Sequence, residues 1–193
     1  MEQSLLMRDS TEGNGKAEIV MDYVMSYSLR LAANEHFRQD SMLCQYCRYM
    51  LGKLLGIKIS NVTNVKSVKV WKEWRYIDLC VEVIIAEGEK EHKYALLIEN
   101  KYYTLLHDNQ LNRYKEIFDA YYNAKDWKRV YKLVTCHEKK DIQRLYGEEL
   151  SKSPKFKTHN FYDLLPKEFI LKDKKTYQDT ESDIFNEFWL RNW

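Results

Sequence analysis

The sequence predicts an α/β protein with a central mixed β-sheet flanked by helices. Two observations carry this. Apolar residues recur every three or four positions near both ends of the chain, and every second position in its middle. A helical pattern then separates the third strand from the fourth, and a helical crossover permits a parallel pair there. The order is α, β-meander, α, β, α.

The first helical pattern starts at Lys16, with Val20, Tyr23, Val24, Tyr27 and Leu31 on its apolar stripe. A second carries Leu43, Tyr46, Cys47, Met50, Leu51, Leu54 and Leu55, with Asp40 or Ser41 as N-cap and Gly56 as its stop. If this helix begins earlier, its stripe projects back through Gln39 to Glu35 and brings a carboxylate toward the core. Otherwise Glu35 lies on a polar connection. From Ile57 the period becomes two. Val62, Val65, Val68, Val70, Trp71 and Trp74 suggest one long, bulged strand. Tyr76 to Ile85 is the second strand, with Asp78 flanked by apolar residues. Residues 86–92 form a polar hairpin around Gly88, and Tyr94 to Lys101 returns antiparallel. Leu111, Tyr114, Ile117, Phe118 and Tyr121 then mark a helix. Val130 to Cys136 is a short strand, and Asp141 to Lys152 a helix ended before Pro154. Asn160 to Leu165 is a short strand or extended loop. Asp183 to Trp193 forms an amphipathic helix with Ile184, Phe185, Phe188 and Trp189 for packing.

The 193 residues suit one domain with a sizeable core, spanning 1–193, behind a polar and flexible stretch over 1–15. The composition, 45% apolar and 31% charged, excludes a disordered chain. Nothing at the N-terminus resembles a signal peptide, and no apolar run reaches the roughly 18–20 residues of a membrane helix. The reading is a cytoplasmic protein with no membrane partner, its four cysteines reduced. The net charge is only +2, but Lys128 to Lys175 holds 13 Lys and Arg against 7 Asp and Glu. That segment could attract a phosphate backbone, or it is a solvated face.

The chemistry gathers at the end of the third strand. In a strand, residues i and i+2 share a face, so Glu99 and Lys101 leave a hydrophobic run side by side. Such charges are costly to bury unless they are paired or bind an ion. Asp78 sits across a short hairpin from Glu99, and Gln110 at the start of the next helix. Two carboxylates and the backbone carbonyl of Asn100 suit a hard cation such as Mg²⁺. Lys101 would stabilise negative charge beside it, and Gln110 would orient substrate or water. The competing reading is a buried ion-pair network that merely supports the sheet.

Tyr-Ile-Asp-Leu (76–79), Leu-Ile-Glu-Asn-Lys (97–101) and Asp-Asn-Gln-Leu-Asn-Arg-Tyr (108–114) resemble the PD-(D/E)XK nuclease superfamily. The likeness is greatest to a bacterial branch with Glu-Asn-Lys and Gln-Leu-x-Arg-Tyr signatures. It is clear over about residues 70–122, and Ile77 stands where the superfamily's name has proline. The resemblance implies a restriction-endonuclease-like core. It implies Asp78 and Glu99 as metal ligands, Lys101 as the catalytic lysine and Gln110 as an additional site residue. The expected activity is Mg²⁺- or Mn²⁺-dependent hydrolysis of phosphodiester bonds in DNA, with RNA the other polynucleotide open to it. Many members also use an acid on the first core helix, for which Glu35 is the candidate; Glu73 is a further acidic neighbour. The alternative is a catalytically silent nuclease fold that binds nucleic acid or a protein. A homodimer would allow both strands of a duplex to be cut.

His107 and Arg113 are candidate substrate contacts, with solvent exposure the plainer reading for His107. Cys44 and Cys47 form a C-x-x-C on the second helix. A zinc site needs two more ligands at matching spacing, and an iron–sulfur arrangement does not fit, so they read as small core residues.

Overall fold

The computed structural model describes residues 3–7, 14–173 and 175–192. Five strands form one sheet in the order β1 (Asn64–Trp74), β2 (Ile77–Glu87), β3 (Lys90–Lys101), β4 (Lys128–Thr135) and β5 (Lys157–Asn160). β1–β2 and β2–β3 are antiparallel hairpins, and β3–β4 and β4–β5 are parallel. β3 is therefore the middle strand. It is buried continuously from Tyr94 to Lys101, as a strand covered on both faces must be.

One face packs against α1 (Asn14–Arg30), α2 (Met42–Leu55) and the C-terminal segment; the other packs against α3 (Gln110–Tyr121) and α4 (Lys139–Lys152). Alternation sorts the strand residues. Leu79, Val81, Leu96 and Ile98 join the first cluster; Cys80, Ala95 and Leu97 join the second. The side chains of residues 99 and 101 thus fall on the α3 face, and that of 100 on the α1 face.

α2 behaves as its sequence predicts. Ser41 Oγ accepts from the Cys44 amide, Gly56 closes the helix at φ 71°, and all seven stripe residues are buried. The register of β1 shifts between Val65 and Ser67, which is why its buried valines fall at 65, 68 and 70 instead of strictly alternating. Val62 is exposed and lies before the strand.

The apolar face of α1 departs from expectation. Tyr23 and Tyr27 are exposed, and the buried line runs through Ala17, Met21, Val24, Met25, Ser28 and Leu29. Tyrosine suits either environment, so two tyrosines rotated the expected face away from the true one. Tyr121 is likewise exposed on α3, where Tyr122 takes the core position.

β5 ends at Asn160, and a 3₁₀ turn follows over Phe161–Leu164. A small ribbon, β6 (Ile170–Leu171) with β7 (Thr176–Tyr177), precedes the C-terminal segment. That segment is a short helical turn, α5 (Asp183–Phe185), running into a π-helical turn over Asn186–Leu190. Its Trp189 is fully buried, stacks on Phe161 at 4.2 Å and donates to Ser28 Oγ at 2.9 Å. Ile184 is exposed. Of the stretch expected to be flexible, residues 3–7 lie against this segment: Gln3 bridges to Asn192, and Ser4 and Met7 are buried. Residues 8–13 lie outside the described residues.

Candidate active site

The topology brings three things to one edge of the sheet: the β1–β2 turn, the C-terminal end of β3 and the start of α3. Asp78 and Glu99 lie one step beyond the Leu79–Ile98 pair, on the α3 face. Glu99 is completely buried. Its Oε1 accepts from Gln110 Nε2 at 2.6 Å and meets Lys101 Nζ at 3.0 Å, whereas Oε2 has no hydrogen-bond partner. Gln110 is itself tied down. Its Oε1 accepts the His107 amide at 3.0 Å, and its Nε2 also reaches Tyr114 Oη at 3.3 Å.

Asn100 joins the two faces. Its backbone amide donates to Asp78 Oδ2 at 2.8 Å, while its side-chain amide donates to Asp22 Oδ1 at 2.7 Å. Asp22 comes from α1. One helical turn earlier, Glu18 accepts from the Tyr102 amide at 2.9 Å and from the Thr104 hydroxyl, and its Oε2 stands 3.7 Å from Lys101 Nζ. Residues four apart share a helix face, so Glu18 and Asp22 reach the edge together. The structure thus draws the first-helix acids from within α1. Glu35, the expected candidate, lies in the turn after α1, exposed and beside His36 at 3.4 Å, because the chain has already left the sheet edge.

Four carboxylates around one ammonium leave the cluster strongly negative when all are ionised. Burial, then the charge of Asp78, pushes Asp22 up to about 7. Burial also raises Asp78 against the pull of its Asn100 hydrogen bond. Burial and the charge of Asp78 raise Glu99 well above the carboxylate range. Burial works against the charge of Lys101, but Glu99 and Glu18 outweigh it and hold the lysine above its ordinary value. Lys101 therefore keeps its charge while the carboxylates retain a proton among them.

These residues fit a divalent cation. The unsatisfied Glu99 Oε2, the mutually raised carboxyls and the excess negative charge are features that a hard cation would relieve. Among the described residues, no three His, Cys, Asp or Glu side chains are already grouped as ligands.

A groove of about 350 Å³ between α1 and β1 is lined by Ile19, Asp22, Tyr23, Val70, Trp71, Lys72 and Glu73. Asp22 is the one member of the cluster that lines it, and Asp78, Glu99 and Lys101 do not. A larger cavity of about 790 Å³ lies by the C-terminal end of α2 and contains none of the clustered residues. His107 is exposed, touching the cluster only through its backbone. Arg113 is exposed with its guanidinium 5.4 Å from the Tyr114 ring. Of the basic stretch from Lys128, Arg129, Lys139, Lys140, Arg144 and Lys152 form ion pairs, with Asp119, Asp163, Glu138, Asp141 and Glu148 among their partners. Cys44, Cys47 and Cys80 are free, buried thiols. No helix among the described residues is long and apolar enough to cross a membrane.

This fold is that of a nuclease-like α/β protein. The profile of the PD-(D/E)XK nuclease superfamily matches residues 18–177, and the chain belongs to that superfamily. The matched stretch begins at Glu18 and so takes in both acids of α1. No curated protein and no solved structure matches the chain.

Proposed function

We propose that the protein is a Mg²⁺- or Mn²⁺-dependent nuclease that hydrolyses phosphodiester bonds in DNA. The observation that carries this reading is the buried Glu99–Lys101 pair, set among three further carboxylates with Glu99 Oε2 left unsatisfied. A purely structural ion pair has no need of three more acids, since each raises the cost of burial.

Asp78, Glu99 and the Asn100 carbonyl would hold the cation, which when bound polarises a phosphoryl oxygen and lowers the pKa of water. Lys101 supplies fixed positive charge where negative charge develops on the phosphate. The Glu99 and Glu18 carboxylates beside it favour its ammonium form. Glu18 holds Lys101 and the turn that follows it. Gln110 holds Glu99 in one orientation, and Asn100 fixes Asp78 through its backbone and Asp22 through its side chain. Glu18, Asp22 and Gln110 are positioning residues in this scheme.

The test is cleavage of plasmid and linear DNA with Mg²⁺, Mn²⁺ or EDTA, by the wild type and Lys101→Ala. The expected result is metal-dependent cutting that EDTA abolishes and that Lys101→Ala lowers by about 100-fold or more. Cutting that survives both EDTA and the substitution would overturn this assignment. Salt-dependent DNA binding without cutting in either metal would instead favour a silent binding module.

A further inference from the structure

Among the described residues, six other than glycine have positive φ, and five of them border the proposed site: Glu73, Arg75, Tyr76, Tyr103 and Asn109. Two are exposed tyrosines, Tyr103 meeting the Tyr102 and His137 rings only edge-on. Tyr76 has φ 71° and is 83% exposed; Tyr103 has φ 51° and is 52% exposed. Tyr76 stands two residues before Asp78, and Tyr103 two residues after Lys101. Each therefore projects from the strand end that carries the chemistry.

The backbone geometry at these positions does not call for an aromatic ring. Trp74 pairs with Ile77, so Arg75 and Tyr76 are the two central residues of a tight hairpin, where positive φ at both positions matches the strand twist. Asn-Gly or Asp-Gly meets that demand at least strain, and a bulky side chain meets it poorly. The same holds for Tyr103. Backbone strain of this kind gathers at functional sites, where the side chain's role outweighs its conformational cost.

Two neighbours indicate what the rings meet. Tyr103 lies edge-on to His137 with centroids 5.0 Å apart, and His137 Nε2 is buried without a hydrogen-bond partner. Arg75 is exposed, lies over the Trp74 ring at 4.9 Å and the Tyr121 ring at 5.5 Å, and has no carboxylate partner among the described residues. An exposed ring beside an exposed guanidinium suits a base with its phosphate.

We propose that Tyr76 and Tyr103 are stacking platforms for unpaired bases on the two sides of the strand end, and that the preferred substrate is single-stranded DNA. In a duplex the base faces are already covered by one another, and exposed rings would find nothing to stack on. This inference rests on the strand end being the nucleic-acid site, but not on its cutting what it binds.

The test is fluorescence anisotropy in EDTA, where nothing is cut, with a labelled oligothymidylate and a hairpin duplex of matched length. The wild type should bind the single strand about tenfold more tightly than the duplex. Tyr76→Asn and Tyr103→Asn should each weaken single-strand binding about fivefold or more. Because asparagine tolerates positive φ, both variants should melt at or above the wild-type temperature. Tyr→Trp at either position should keep the affinity. Asn variants that bind oligothymidylate as the wild type does would overturn the proposal; that is also the result expected if the rings serve a protein partner. So would equal affinity for duplex, or lost affinity that accompanies a lowered melting temperature in both Asn variants. Binding that behaves as expected without cutting in Mg²⁺ or Mn²⁺ would support the platforms while overturning the nuclease reading.

Discussion

Gln110 Nε2 donates to Glu99 Oε1 at 2.6 Å, while its own Oε1 accepts the His107 amide. One side chain thus joins the start of α3 to the buried end of β3. A hydrogen bond of this type orients a ligating carboxylate, and losing it typically lowers metal affinity or activity about 10- to 100-fold. Gln110→Ala should therefore need more Mn²⁺ for half-maximal cutting. Metal titrations of the cleavage rate check this, with urea unfolding to record the stability change. An unchanged metal requirement would show that Glu99 needs no such support.

Asp22 should make stability depend on pH in an unusual direction. Its folded value is about 7, above its ordinary 3.8. Its favourable contribution is therefore complete below about pH 4 and is lost as pH rises through 7. Asp22→Asn keeps an oxygen for the Asn100 side chain and removes the titration. The variant should be more stable than the wild type at pH 8, by on the order of 2 kcal/mol, with the gap closing toward pH 4. Urea midpoints across that range measure it; a gap independent of pH would contradict it.

Divalent cations should stabilise the folded protein, because they relieve the repulsion that raises these carboxyls. At a metal concentration about 100 times Kd, the gain is about 2.7 kcal/mol. Thermal melts with Mg²⁺ or Mn²⁺ should show an upward shift in the wild type, and none in Asp78→Asn with Glu99→Gln. Equal shifts in both proteins would place the cation elsewhere.

A second pH effect has the opposite sign and a different place. His159 Nε2 lies 3.1 Å from Lys132 Nζ, and burial together with that ammonium lowers the imidazole to about 4. The neutral ring accepts from Lys132, itself buried on β4. The unfolded chain binds a proton below about 6.5 that the folded chain refuses, so stability falls as pH drops from 6.5 to about 4. Roughly 1–2 kcal/mol is expected after screening of a partly exposed ring. His159→Gln keeps an acceptor and should flatten the profile over that interval, as urea melts at pH 4.5 and 7 would show.

The convergence of the strand-borne candidate residues was legible in the sequence. Asp78, Glu99, Lys101 and Gln110 lie close along the chain, and the period of two with a short hairpin leaves few ways to arrange them. The structure brings these four together. The acids of α1 were not legible. Glu18 and Asp22 are some 80 residues away in sequence from their Lys101 and Asn100 partners, and only the helix's rotation decides whether they face the sheet. That rotation was obscured because Tyr23 and Tyr27 look like core residues, while the true buried line uses Ala17 and Ser28. A carboxylate pair four apart on the first helix was the available signal. The C-terminal end escaped for a related reason. Its π-helical turn brings Trp189 and Leu190 inward in a way that a regular helical period does not express.

The central position of β3 governs how the protein would fail. Glu99 to Lys101 end the middle strand: β4 pairs with all three, the Asn100 amide is taken by Asp78, and all three side chains are buried. Such segments open only when the whole structure opens. Heating should therefore leave no interval in which the molecule is still folded but its carboxylate cluster has come apart. Loss of activity and loss of structure should trace one curve, and the slowest amides to exchange in deuterated solvent should lie in the strand bearing Glu99 and Lys101.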